Sequence, residues 1–462
     1  MKPRASMRDN ACMQPSAHNL QAVEDDGAVT RCDVFVIGGG PAGTTIAALL
    51  AQRGWDVVLA EKDRHPRFHI GESLLPMNVP LFERLGVKQR IEGIAMFKYA
   101  AELNSPQHDA PANFAFDRAR DKGFPYAYQV RRSEFDQILF ENCAARGVRA
   151  LQDCRVTTVE LPAEGGARIV TAPRNAAPER WRTRFLVDAS GRDTFLASKL
   201  GMKRRNPQHN SAALYGHFTG AHRLPGKQEG NISMFWFEHG WFWFIPLHDG
   251  TTSVGAVCWP YYMKSRTADP TAFLLETIAL CPRLGERLRD ARLVAPATAT
   301  GNYSYESARM TGDSHILVGD AFAFVDPVFS SGVFLAMNSA FLGADAVDAS
   351  LRGAPQAAAL KRRFERQVRH GLRQFSWFIY RMTSPAMRSL FMAPRNTLRM
   401  QEALLSLLAG DLFRGTPIRR GLAAFKGVYY LTTLLHFRDS LAAWRRRRRL
   451  LTAEGSDRPS SA

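Results

Sequence analysis

Three places in this chain combine residue types and spacings that could do chemistry. The run Gly38-Gly-Gly40-Pro-Ala42-Gly43 is followed by an acid, Glu61, 18 residues after its last glycine. Gly38 permits a tight turn, Gly40 lets the backbone approach a pyrophosphate, and Gly43 lets a helix pack closely on a strand. Ala42 lies in the same turn and joins the expected contacts. The helix that follows points its N-terminus at the phosphate charge, and Glu61 is placed to accept hydrogen bonds from an adenosine ribose. At Ser331-Gly332 a second helix is expected to start, offering backbone N–H groups and the positive end of a dipole to an anion. The same Ser-Ser-Gly is also a good N-cap sequence. In "GWFWFIP", Trp241, Trp243 and Ile245 alternate with Phe242 and Phe244, so two indoles share one face of a strand. Taken alone, that pattern also describes an ordinary core hairpin.

The elements that would hold these residues follow from periodicity. "CDVFVIGGGPAG" reads as a buried strand at Asp33 to Ile37 and a glycine turn, then a helix to about Arg53 and a strand ending at Glu61. Residues from Pro66 to Lys98 read as loop plus helix, and Arg131 to Gly147 as another helix. "FLVDASGRD" is a buried strand ending in a turn. His209 to Pro260 is aromatic and β-branched, predicting a larger sheet with a hairpin whose turn is His248-Asp249-Gly250 and whose return strand is "TTSVGAVCW". Beyond Gly353 the apolar spacing is mostly helical.

The 462 residues suggest two or three modules, and 45% hydrophobic with 23% charged residues describe a globular protein. No stretch has the length and apolarity of a membrane span or a secretory signal, so a cytoplasmic protein is expected. Six scattered cysteines without a C-x-x-C pair predict reduced thiols and no metal site. The net charge of +18 is concentrated towards "WRRRRRL" at the C-terminus, with no nucleic-acid-binding motif nearby. No nucleic-acid partner is expected.

Together "GGGPAG", "DASGR" and "GDAFAFVDP" resemble the p-hydroxybenzoate-hydroxylase-like fold of FAD monooxygenases. The narrower marks "GWFWFIP", the lysine in "MFKYA" and "DPVFSSGV" resemble the flavin-dependent halogenases, from about Cys32 to Phe413. The resemblance implies FAD, used as reduced FAD, with Asp320 beside its ribityl and pyrophosphate region and Arg132 as a further contact. It implies that chloride or bromide sits at Ser331 and Gly332 and is oxidised to hypohalous acid. Trp241 and Trp243 would line or block a tunnel between cofactor and substrate, and Lys98 would guide the oxidant, either by donating hydrogen bonds or as a haloamine. By spacing alone Lys98 would be a solvated surface charge. Phe329 stands where tryptophan halogenases carry a glutamate, so the resemblance favours a phenolic, pyrrolic or aryl-polyketide ring, free or on an acyl carrier protein, over free tryptophan.

The expected fold is α/β, a Rossmann-like FAD-binding domain with an inserted β-sheet substrate domain and a C-terminal helical region. The FAD-binding parts are 31–105, 131–200 and 301–353, interrupted by a substrate-sheet insertion at 106–130 and a β-rich domain at 201–300. Residues 1–30 are a flexible extension, 354–443 a helical region and 444–462 a basic tail, a candidate for contact with an anionic inner membrane face or with an acidic acyl carrier protein. With no second dinucleotide fingerprint visible, a separate flavin reductase is the expected source of reduced FAD. A hydroxylase or geranylgeranyl-reductase-like enzyme of the same fold is the alternative.

Overall fold

A computed structural model describes residues 29–267, 269–301, 304–438, 440–443 and 445. The first strand, Val29–Ile37, buries Val34, Phe35 and Val36 completely. It lies between Val57–Ala60 and Glu179–Asp188, parallel to both. Parallel strands covered on both faces need such uninterrupted apolar runs. The sheet continues through Arg149–Leu151 on one side and through Ala167–Pro173 and Cys154–Glu160 on the other, and His315–Leu317 adds to Glu179–Asp188. Val29 and Thr30, expected in the extension, already belong to the first strand because they pair with Arg180 and Trp181. Residues 1–28 lie outside the described residues, as does most of the basic tail.

Helix Pro41–Ala51 begins at Gly40 with proline in its first turn, and it packs on helix Gly332–Leu351. Small residues let the two approach. A Cβ at Gly319 would stand 3.1 Å from the Cβ atoms of both Ala42 and Ala336.

The second sheet contains the expected hairpin, with Gly240–Pro246 antiparallel to Thr252–Cys258. Trp243 lies opposite Gly255, where an added Cβ would meet the indole at 2.2 Å. On its other side Gly240–Pro246 pairs with Ile232–Phe237, which in turn runs parallel to Ala100–Asn104. The chain therefore enters the second sheet before residue 105, the expected boundary. Lys98 ends a strand, Ala95–Lys98, paired with Ala127–Val130, where loop and helix were expected. A four-residue strand whose partner comes some thirty positions later leaves no local period to read.

The C-terminal region is helical, as expected. Helix Ala357–Ile379 buries Phe364, Val368, Gly371, Phe375 and Phe378, one face at i, i+4, i+7, i+11 and i+14. Helices Pro385–Met392, Met400–Leu408 and Arg419–Leu435 follow. Among the described residues no helix is long and apolar enough to cross a membrane, no metal-binding cluster occurs, and five buried cysteines are free.

Candidate functional site

A cleft with about 1680 Å³ of empty space, including its open mouth, lies between the two sheets. Gly38, Gly40, Ala42, Glu61, Arg132 and Asp320 all line it. Gly38 has φ +101° and a Cβ there would meet the carbonyl of Ala189 at 2.5 Å, while one at Gly43 would fall 1.9 Å from the carbonyl of Gly38. Both glycines are thus required by the turn itself. Gly40 is different: an added Cβ would meet nothing nearer than Arg67 at 3.7 Å, so its open side faces the cleft.

Glu61 is buried, and its carboxylate accepts hydrogen bonds from the N–H groups of Gly39 at 2.7 Å and Asp63 at 3.0 Å. Each carboxylate oxygen retains a lone pair for a ribose hydroxyl. Arg132 is more committed than expected. Its guanidinium donates to both oxygens of Asp136 and to the carbonyl of Ile70. Burial pushes Asp136 up, but Arg132 and Arg67 outweigh it and hold the carboxyl below its ordinary value. Arg67, which sequence reasoning missed, lies 3.5 Å from Glu61 and keeps a buried Nε without a partner beside the cleft. Asp320 is pushed up to about 6 by burial, against the pull of Arg132 and Arg192. These donors, the carboxylate and the uncrowded glycine fit the ribose and pyrophosphate of an adenine dinucleotide.

Lys98 lines a second pocket, with about 530 Å³ of empty space including its open mouth, together with Phe114, Phe116, Phe329 and Phe391. It is no surface charge, being only 1% exposed. Its Nζ donates to Ser73 Oγ at 2.9 Å, and among the described residues no carboxylate forms an ion pair with it. Burial pushes the ammonium down to about 7. Ser73 in turn lines the large cleft, so one hydrogen bond spans from cleft to cavity. Phe329 is buried in this cavity with Lys98.

The two spaces share four lining residues, Ile232, Met234, Val328 and Ser330. Trp241 and Trp243 do share one wall, with centroids 6.1 Å apart, but that wall belongs to the large cleft. The reason is sheet order: Ile232–Phe237 intervenes between the tryptophan strand and the strand that follows Lys98. Trp243 is fixed there by donating Nε1–H to Ser253 Oγ at 3.1 Å.

The expected halide pair sits together at the start of helix Gly332–Leu351: Gly332 lines both the large cleft and a small adjoining pocket, Ser331 lines that adjoining pocket, and Ser330 lines the cleft. Ser330 adopts the left-handed conformation, φ 56°, which turns the chain between the two spaces. Ser331 makes no side-chain cap, so the N-cap reading of its hydroxyl fails. The first-turn N–H groups, including that of Gly332, have no intrahelical acceptor and remain available to an anion. An added Cβ at Gly332 would make only an ordinary contact with Phe324 at 3.5 Å, so the protein itself does not demand glycine there.

A dinucleotide turn opening on a deep cleft, on this two-sheet frame, defines an FAD-dependent oxidoreductase, and the FAD binding domain family matches residues 31–370. The chain belongs to the flavin-dependent halogenases. It is 30% identical over 407 residues to a 1H-pyrrole-2-carbonyl-[peptidyl-carrier protein] chlorinase of Pseudomonas fluorescens, covering 83% of this chain and 90% of that one. It is 33% identical over 345 residues to a tryptophan 2-halogenase of Chondromyces crocatus, covering 72% and 64%. The solved structure of the myxobacterial chondrochloren halogenase superposes with a TM-score of 0.74 at 33% identity, over 89% of this chain and 99% of that one.

Proposed function

We propose that this halogenase acts on an electron-rich ring, phenolic, pyrrolic or aryl-polyketide, free or tethered to a carrier protein, and that Lys98 delivers the halogen. The observation that carries the reading is the burial of Lys98 in a cavity beside the cofactor cleft, unpaired with any described carboxylate. Gly38, Gly40, Ala42, Glu61 and Asp320 would hold FAD, which when bound would supply, reduced and with oxygen, the oxidising power to convert halide to hypohalous acid. Gly332 and Ser330 hold the halide at the helix start. A separate reductase supplies the reduced FAD.

The pKa near 7 keeps a large fraction of Lys98 as the neutral amine at neutral pH. The amine nitrogen takes the halogen from hypohalous acid, water leaves, and an N–halogen bond forms. The ring carbon then attacks the halogen, and the N–halogen bond breaks with its electron pair left on nitrogen. Glu102, a carboxylate lining the same cavity and held by Arg287 at 3.3 Å, takes the ring proton and passes it to that nitrogen, which restores the amine and leaves the carboxylate as it began. Phe329 offers no charge at its position, so the ring's own hydroxyl or nitrogen must activate it.

Tyr430, Leu431, Leu434, Leu435 and Phe437 are exposed near the end of the described chain and precede the basic tail. This supports peripheral contact with an anionic membrane.

The test combines reduced FAD, oxygen and chloride or bromide with phenols, pyrroles and tryptophan, then reads halogen isotope patterns by mass spectrometry. Halogenated phenol or pyrrole is expected. Tryptophan as the sole substrate halogenated would contradict the ring assignment.

A further inference from the structure

Arg362, Arg366, Arg369 and Arg373 recur at i, i+4, i+7 and i+11 on helix Ala357–Ile379. That spacing makes one straight stripe about 16 Å long, opposite the face that packs on the protein. Arg369 pairs with Glu306, but Arg362, Arg366 and Arg373 are exposed and have no ion pair among the described residues. Some surface arginines elsewhere are matched, as with Arg53 to Asp345, Arg90 to Glu141 and Arg352 to Asp348, whereas here three unmatched ones line up on a single helix face. Like charges three and four residues apart destabilise a helix. Apart from Glu306, the acid on the same helix does not relieve the stripe: Glu365 is turned to the hydroxyl of Thr311.

The last of the four C-terminal helices named above extends the charge. Arg419 and Arg420, at the start of Arg419–Leu435, are exposed. His370, on the arginine helix, is held below its ordinary pKa by burial and then by Arg373, Arg419 and Lys426, so these cations converge on one place. Arg373 lies six residues, about 9 Å of helix, before Ile379. Three residues further on, Met382 lines the Lys98 cavity.

We propose that this two-helix basic face docks an acidic carrier protein bearing the tethered ring, with its occupied arm directed towards the Lys98 cavity. The inference rests on the proposed halogenation of a carrier-bound substrate. Charge complementarity selects the partner: three unpaired guanidinium groups in line match a helix with carboxylates along one side. The face lacks the exposed large apolar side chains that lie at the other end of Arg419–Leu435, which makes it a poor membrane anchor.

The test uses the full chain, with Arg362→Glu, Arg366→Glu and Arg373→Glu combined in one variant and the three matching Arg→Lys changes in another. A fluorescent, phosphopantetheinylated acidic carrier protein, free and loaded with a pyrrole-2-carbonyl group, is the probe. Parental binding is expected to weaken at high salt. Charge reversal should weaken it at least tenfold and lower kcat/KM on the loaded carrier equally, while halogenation of a free phenol stays unchanged. The lysine variant should keep most of the binding. Equal carrier affinity in parent and reversed variant would overturn the inference, as would parental binding to duplex DNA or anionic vesicles in preference to the carrier. A parent that halogenates free phenols but ignores the carrier also overturns it and leaves the halogenation reading intact. Face-dependent carrier binding without halogenation of any substrate would support the docking and sink the proposed activity.

Discussion

Lys98 donates a hydrogen bond to Ser73 across 2.9 Å, and Ser73 is the residue of that pair which faces the cofactor cleft. The hydroxyl accepts from the charged form of the lysine and so favours it, against the burial that pushes the pKa down to about 7. Replacing Ser73 with alanine removes that acceptor and should lower the Lys98 pKa. If the neutral amine carries halogen, product formed per flavin oxidised rises with pH through the Lys98 pKa. Its midpoint, near 7 in the parent, should move to lower pH in Ser73→Ala. An unmoved midpoint, or a yield that falls as pH rises, would count against the amine.

Burial of an unpaired amine also predicts a conflict between stability and function. The folded pKa, about 7, lies below the ordinary 10.5, so between those values the unfolded chain binds more protons than the folded one. Stability therefore increases with pH across that window, and the penalty of burying the charge is fully present below it. Lys98→Met should be more stable than the parent by on the order of 1–3 kcal/mol at pH 6, with the gap closing as pH approaches 10. Urea unfolding at pH 6 and pH 9.5 checks this. A variant less stable at pH 6, or a gap independent of pH, contradicts it.

The fit of Trp243 over Gly255 predicts a coupled pair. A methyl at Gly255 would stand 2.2 Å from the indole, so Gly255→Ala should destabilise the protein by about 1–3 kcal/mol. Trp243→Phe made in that background should recover part of the loss, and a double-mutant cycle from urea melts measures the coupling. Strictly additive effects would mean that the indole simply moves aside.

The parts of this molecule that were legible in its sequence share one property: their signal is local. The glycine turn, the flanking strands and the hairpin at Trp241–Ile245 each fit within a few dozen residues, and periodicity exposes them. Lys98 was visible only through resemblance, because its burial depends on Phe116, Phe329 and Phe391 from distant segments. The position of the tryptophans on the cleft side followed from strand order, which alternation along one strand does not encode. Ser330 lines the large cleft and Ser331 the pocket beside it because the left-handed turn at Ser330 re-aims the chain at the helix start, and neither serine announces that conformation. Arg67 and Ser73 sit in "RHPRFHIGES" without a motif of their own; only the fold brings them to Glu61 and Lys98.

The most direct measurement compares Lys98→Ala with the parent under identical reduced FAD, oxygen and halide, following flavin oxidation, peroxide and halogenated product together. The variant should oxidise flavin at the parental rate, release more peroxide or free hypohalous acid, and lose at least about a hundredfold of its halogenated product, roughly 2.7 kcal/mol of transition-state stabilisation. Halogenated product at the parental rate and with the parental ring position would contradict the assignment of Lys98 as the carrier of halogen.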